Sequence, residues 1–135
     1  MKLEFINKSC NERFARMTAA AFVAELDPTV EEISEIKTAV SEAVTNAIIH
    51  GYENCSGTVL LEGEIHNNEI TFVISDKGCG IENIEKAREP LYTGRPELER
   101  SGMGFSIMEC FMDSVEIESE PGKGTSVKMS KVIKK

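Results

Sequence analysis

The spacing of apolar residues changes along this chain, and this change is the strongest constraint on its fold. Between residues 30 and 48 seven apolar side chains follow helical spacing: Val30, Ile33, Ile36, Val40, Val44, Ala47 and Ile48. Residues 58–65 and 69–75 then form two β-rich runs around His66-Asn67-Asn68, and Ile70, Phe72 and Ile74 take alternate positions in the second run. This change from helical to alternating spacing predicts a helix followed by a half-buried β-hairpin.

Shorter signals predict the other elements. A strand is expected over residues 2–6 and a first helix from about 9 to 26. Thr29 with Glu32 is a capping-box pattern at the start of the second helix, which is expected to end at His50-Gly51. Four elements are expected towards the C-terminus: a short helix over 84–88, a helix over 105–112, and strands over 114–119 and 125–132. The predicted fold is α+β, one domain over residues 1–135, with about three helices on a mainly antiparallel sheet in a two-layer sandwich.

Composition excludes several classes of function. The chain has 15 Lys and Arg against 23 Asp and Glu, a net charge of −8, which opposes non-specific attraction to nucleic acid. No apolar run approaches the roughly 18 residues of a membrane span, and the N-terminus lacks a signal pattern, so a cytoplasmic protein is predicted. The four cysteines lack the spacing of a zinc site or the density of a disulfide scaffold, so reduced thiols are expected, with Cys10 or Cys55 exposed.

The predicted second helix carries polar residues away from its apolar stripe. Glu42, Asn46 and His50 are four residues apart and therefore share one helix face. An ordinary solvated face would explain them, but Asn is a poor helix former, and nearby alanines at 39, 43 and 47 would let a segment or a ligand approach closely. A functional interpretation uses the Asn46 carboxamide oxygen as a ligand for Mg²⁺ and the Glu42 carboxylate as a proton acceptor.

Three glycine clusters are the other candidate sites. Asp76 ends a strand and is followed by Gly78 and Gly80, which would let a planar ligand approach while Asp76 accepts a hydrogen bond from an exocyclic amino group. A plain turn explains this cluster about equally well. The third cluster, residues 122–125, is explained by a hairpin turn when taken alone.

The second cluster lies where the irregular segment 89–104 enters a helix. It consists of Arg100, Ser101, Gly102, Met103 and Gly104. Free backbone N–H groups and the helix dipole form an anion site at such a junction, and an arginine adds positive charge. The alternative is a simple hinge.

The ordered set of motifs resembles the Bergerat-type ATP-binding family, which includes histidine-kinase catalytic domains, type II topoisomerase ATPase domains and heat-shock chaperones. The set is Glu-x-x-x-Asn on a helix, Asp-x-Gly-x-Gly after a strand, Gly-x-Gly before a helix and Gly-x-Gly-Thr in the last hairpin. The phosphate-loop and ordinary protein-kinase signatures are absent from the sequence. The runs LDPT, EIKTAVSEAVTNAIIHGYEN, PELERSGMGFSIME and FMDSV further resemble the sporulation anti-sigma F factor family of serine-protein kinases.

The resemblance implies a role for each matching residue. It makes Glu42 the catalytic base and Asn46 the Mg²⁺ ligand. It assigns Asp76, Gly80 and Thr125 to the adenine pocket, Met103, Gly104 and Arg100 to the phosphates, and segment 82–104 to a nucleotide lid. An arginine of the first helix would contact protein partners; the matching stretch points to Arg16, with Arg13 as the alternative.

The resemblance also implies the activity and the partners. The chain would bind and inhibit a sporulation sigma factor, of the F type or a stress-response relative. It would use ATP with Mg²⁺ to phosphorylate a serine of an anti-anti-sigma protein, giving ADP and inactivating that antagonist. Family members work as dimers, and no direct nucleic-acid or membrane contact is expected. Two alternatives stay open: a detached histidine-kinase catalytic domain, and a nucleotide-dependent binding module that does not need Glu42. His50 is interpreted as a structural or ligand-adjacent residue and not as a phosphoacceptor.

Overall fold

The computed structural model describes residues 1–48, 57–77, 104–120 and 124–133. Along the chain the elements are β1 (Lys2–Ile6), α1 (Cys10–Val23) with a 3₁₀ turn (Ala24–Leu26), α2 (Val30–Asn46), β2 (Thr58–His66), β3 (Glu69–Asp76), α3 (Gly104–Phe111), β4 (Ser114–Glu120) and β5 (Gly124–Val132). Every predicted element within these ranges is confirmed to within about two residues. The predicted helix over 84–88 and the predicted helix end at His50-Gly51 lie outside the described residues.

The five strands form one sheet in the order β1-β2-β3-β5-β4, with every neighbouring pair antiparallel. The β2–β3 hairpin turns at residues 67–68, where Asn67 has a φ of 57°. Asn tolerates this left-handed conformation better than most residues, because its short polar side chain can hydrogen-bond locally. Three helices accompany the sheet in the described part of the chain, which confirms the predicted α+β architecture.

The core lies between the sheet and the helices. Alternate residues of β3, namely Ile70, Phe72 and Ile74, are almost completely buried, as the alternating pattern predicts. Most of the predicted apolar stripe of α2 is buried, but its first residue, Val30, is 86% exposed and Ile33 is only partly buried. Ala39 and Ala43, which lie beside the stripe, are buried as well. Because α2 packs against both α1 and α3, its buried face is wider than the predicted stripe.

Two further sequence predictions concern the cysteines and membrane-spanning helices. Cys10 and Cys110 are free, exposed thiols; Cys55 and Cys79 lie outside the described ranges. Within those ranges, no helix combines the length and the hydrophobicity needed to cross a membrane.

The predicted capping box begins α2. Thr29 Oγ1 accepts a hydrogen bond from the Glu32 backbone N–H at 3.0 Å, and Glu32 Oε1 accepts one from the Thr29 N–H at 2.9 Å. Both groups would otherwise lack intrahelical partners, so the side chains fix the residue at which the helix starts.

We expect Thr29→Ala to lower the free energy of unfolding by about 1 kcal/mol, because the substitution removes the capping hydroxyl. Urea denaturation measures this change. Thr38→Ala is the matched control: the Thr38 hydroxyl donates to the Ser34 carbonyl inside α2, where it offers the helix little support, so a change within about 0.5 kcal/mol is expected. Equal losses in the two variants would contradict the capping role.

Candidate functional site

Asp76 and Thr125 form a buried polar pair at one end of the sheet. They lie directly opposite each other on β3 and β5, and each is 7% exposed. Side chains at opposed positions of antiparallel strands share a face, with Cβ atoms about 5 Å apart. Among the described residues they are the buried polar or charged residues of the chain, and their neighbours on the same sheet face, Ile74 and Val127, are buried and apolar. Two residues that the family resemblance assigns to one adenine pocket therefore lie opposite each other.

Gly124 holds the start of β5 against the end of β3. Its φ is +109°, and a Cβ built on it would lie 2.2 Å from the Asp76 carbonyl oxygen and 2.8 Å from the Lys77 Cα. No side chain fits at this distance, so the close approach of the two backbones requires glycine. The sequence placed Gly124 only in a turn cluster and gave it no role at the site; its signal was the position directly before Thr125.

Glu42 and Asn46 lie one turn apart at the C-terminal end of α2, and both are half-buried. Asn46 is the last residue of α2, and residues 47–48 continue in π-helical geometry. Asn46 therefore lies at a change of helix type, whereas the sequence suggested that it lies within a uniform α-helix. Such π-helical turns frequently occur at functional sites.

The residues are compatible with a magnesium ion that arrives with phosphates. Within the described ranges, no three His, Cys, Asp or Glu side chains cluster as a metal site. Magnesium commonly takes only one or two protein oxygens and completes its shell with water and phosphate oxygens. A single carboxamide such as that of Asn46 is sufficient for this mode of binding.

Gly104 is the first residue of α3. The first N–H groups of a helix lack intrahelical partners and carry the positive end of the helix dipole, so they suit an anion. The other predicted residues of the glycine clusters, namely Gly78, Gly80, Arg100, Ser101, Gly102 and Met103, lie outside the described residues, as does most of the predicted lid.

Arg16 lines a groove between α1 and α2, apart from the Asp76–Thr125 pair. The groove has a volume of about 510 Å³, and its lining consists of Arg16, Val30, Ile33, Ser34, Lys37, Thr38 and Ser41. The Arg16 Nε lies 3.4 Å from Glu12 Oε2, close enough for an ion pair but not aligned for a hydrogen bond. Arg13, the alternative that the sequence left open, is exposed and is not part of this lining.

Comparison with known proteins identifies close relatives. A family model described as the histidine kinase-like ATPase domain matches residues 9–131. An anti-sigma F factor of Clostridium kluyveri is 61% identical over 132 residues, covering 98% of this chain and 93% of the relative. An anti-sigma F factor of Clostridium acetobutylicum is 63% identical over 131 residues, covering 97% and 92%. The solved structure of the mycobacterial sensor histidine kinase MprB aligns with this chain with a TM-score of 0.59. The alignment covers 76% of this chain and 72% of the MprB chain, and at 19% identity it supports the fold alone.

Proposed function

The chain belongs to the histidine kinase-like ATPase family and, within it, to the anti-sigma F factors, and on this premise we propose that it is an ATP-dependent protein-serine kinase and anti-sigma factor. It binds and inhibits a sporulation sigma factor in the cytoplasm and phosphorylates a serine of an anti-anti-sigma protein, which inactivates that antagonist. The observation that carries the proposal is the buried Asp76–Thr125 pair, a polar site directly beside the buried apolar residues Ile74 and Val127 of the same sheet face.

The pair supports recognition of adenine. A carboxylate accepts a hydrogen bond from the exocyclic amino group of adenine, and burial strengthens that hydrogen bond by excluding water. Thr125 adds a hydroxyl on the same face, and Gly124 keeps the two strands close. Gly78 and Gly80 would let the base approach the chain that follows Asp76.

The phosphates meet the start of α3. The N–H groups at Gly104 support an anion there, and Ser101, Gly102 and Met103 would complete the turn, with Arg100 adding charge. Asn46 would hold Mg²⁺, which neutralises phosphate charge when it is bound. Segment 82–104 would close over the nucleotide as a lid of the single domain 1–135, so that ATP and ADP forms prefer different partners.

Phosphate transfer needs one proton acceptor. The partner's serine Oγ attacks the γ-phosphorus in line, and the new Oγ–P bond forms as the bond from that phosphorus to the β–γ bridging oxygen breaks, releasing ADP. The serine proton passes to the Glu42 carboxylate, which lies one turn before Asn46 on α2. Positioning of the serine and the phosphate supplies most of the remaining rate enhancement.

Protein partners would dock at the α1–α2 groove. Arg16 and Lys37 give this groove positive charge on a chain whose net charge is −8, and Val30 and Ile33 give it apolar surface. The chain would work as a homodimer that contacts neither nucleic acid nor membrane.

We expect Arg16→Ala to weaken binding of the sigma factor or the anti-anti-sigma protein by about tenfold or more, because a half-buried arginine at a groove is typical of interface hot spots. The affinity of the Arg16→Ala variant for ATP should not change. Arg13→Ala removes the same charge from an exposed position of α1 and should bind partners within about twofold of the parent. Equal effects on partner binding in the two variants would contradict the assignment of Arg16.

The function is tested by incubating the chain with γ-labelled ATP and the candidate anti-anti-sigma protein, and then mapping the labelled residue. Phosphoserine on the partner is the expected product. Phosphohistidine would support a detached histidine-kinase domain. ATP binding without any labelled product would support a binding module that does no chemistry.

A further inference from the structure

Lys131 is a cation in a row of alternate β5 residues that otherwise consists of Thr125 and apolar side chains. It lies opposite Ile70, which is fully buried, and alternates with the buried residues Met129 and Ile133. Opposed and alternate positions share a face of the sheet, so Lys131 points towards the helices and not towards solvent. Its side chain is only 13% exposed. A lysine at such a position loses hydration, which its contacts must offset.

The ammonium group of Lys131 joins the two helices that lead to the proposed nucleotide site. Its Nζ donates a hydrogen bond of 2.9 Å to the carbonyl oxygen of Phe111, the last residue of α3. The same Nζ lies 3.8 Å from Glu35 Oε1 on α2. The last carbonyls of a helix lack intrahelical partners and carry negative charge, so a cation there fixes the helix end.

The turn after α3 is fastened to β5 as well. The Asp113 N–H donates to the Ser130 carbonyl at 2.9 Å, and Asp113 Oδ2 accepts from the Val132 N–H at 2.7 Å. Lys131 is therefore part of a junction that fixes the C-terminal end of α3 on the sheet and adds a link to α2.

Lys131 is too distant to touch a nucleotide at the proposed site. Thr125 lies six residues earlier on β5, or about 20 Å along the strand. Asn46 lies eleven residues beyond Glu35, about 16 Å along α2, and Gly104 lies seven residues before Phe111, about 10 Å along α3. Any effect of Lys131 on the nucleotide must act through the two helices.

We propose that Lys131 is a positioning residue for the phosphate-binding half of the site. By fixing α3 against α2, it sets the separation between the N–H groups at Gly104 and the Glu42–Asn46 face. This inference rests on the proposed nucleotide site. It predicts a selective effect, because the adenine half is built from β3 and β5, whose pairing does not depend on the Lys131 side chain.

The test compares Lys131→Met with Lys128→Met. Both variants remove one positive charge from β5, but Lys128 is exposed, at a position where β5 pairs with β3 and β4. Displacement of a fluorescent ATP analogue gives affinities for ATP and for AMP. We expect Lys131→Met to weaken ATP binding roughly three- to tenfold, from the loss of one charge-assisted hydrogen bond. AMP binding should change less than about twofold, and Lys128→Met should resemble the parent for both ligands.

Methionine is apolar and of similar length, so the fold should tolerate it in this buried row; the melting temperature of each variant checks this. Lys131→Arg should restore most of the ATP affinity. If Lys131→Met does not fold, Lys131→Gln provides the same comparison, because it removes the charge and keeps a polar group near the Phe111 carbonyl.

The outcomes separate this inference from the proposed function. Parent-like ATP affinity in Lys131→Met, or equal weakening of ATP and AMP binding, would overturn the positioning role while leaving the nucleotide site intact. Failure of the parent chain to bind ATP would overturn the proposed function, and this inference with it.

Discussion

Glu42→Gln is expected to lower the rate of phosphate transfer to the partner's serine by about 10²- to 10⁴-fold, the usual contribution of a general base. Glutamine has nearly the same shape as glutamate but cannot accept the serine proton at neutral pH. Asp76, Thr125 and Gly104 are untouched by the change, so ATP affinity should stay within about threefold of the parent. The loss should therefore appear in kcat and not in nucleotide binding.

Single-turnover transfer from labelled ATP measures this effect, with ATP affinity determined separately. Glu31→Gln is the matched control, because it makes the same chemical change at an exposed position in the first turn of the same helix. It should transfer phosphate at the parent's rate. If Glu42→Gln also transferred phosphate at that rate, Glu42 would not be the base. A binding module without kinase activity would show no transfer in any of the three proteins.

The helices and hairpins could be predicted because their signals are local. The Thr29–Glu32 capping box needs only residues three apart, and both of its hydrogen bonds form. The alternation of Ile70, Phe72 and Ile74 predicts a strand with one buried face, and these side chains are buried. In each case the spacing of the residues along the sequence reflects the geometry of one helix turn or one strand. The element can therefore be predicted without knowing any contact to a distant part of the chain.

The candidate site was predictable in composition but not in arrangement. Asp76 was a candidate because glycines follow it, and Thr125 became one through the resemblance of the ordered motifs to the ATP-binding family. Their direct pairing, however, depends on β5 lying between β3 and β4. No local pattern specifies this long-range strand order. The roles of Gly124 and Lys131 were missed for the same reason, since each depends on a contact with a distant segment. Arg16 was preferred over Arg13 by resemblance, and its place in the groove distinguishes the two structurally.

Gly124→Ala is expected to have the largest effect on stability of the substitutions considered, about 3 kcal/mol or more in the free energy of unfolding. The φ of +109° strains any L side chain, and the new Cβ would lie 2.2 Å from the Asp76 carbonyl oxygen, a backbone atom that cannot move away alone. The clash can be relieved only if β3 and β5 move apart at the position where Asp76 and Thr125 pair. ATP affinity of the folded fraction should therefore fall by more than about tenfold.

Gly63→Ala is the comparison that isolates the backbone clash. Its Cβ would lie 3.0 Å from the side-chain ends of Met1, Phe22 and Phe72, which can shift by a few tenths of an ångström. Gly63 pairs with Phe72 in mid-strand, away from the Asp76–Thr125 pair, so a loss of about 1 kcal/mol and unchanged ATP affinity are expected. Urea denaturation and ATP titration below the melting temperature measure both quantities. Similar losses of stability in the two variants, or normal ATP affinity in folded Gly124→Ala, would show that the close approach at Gly124 does not shape the adenine half of the site.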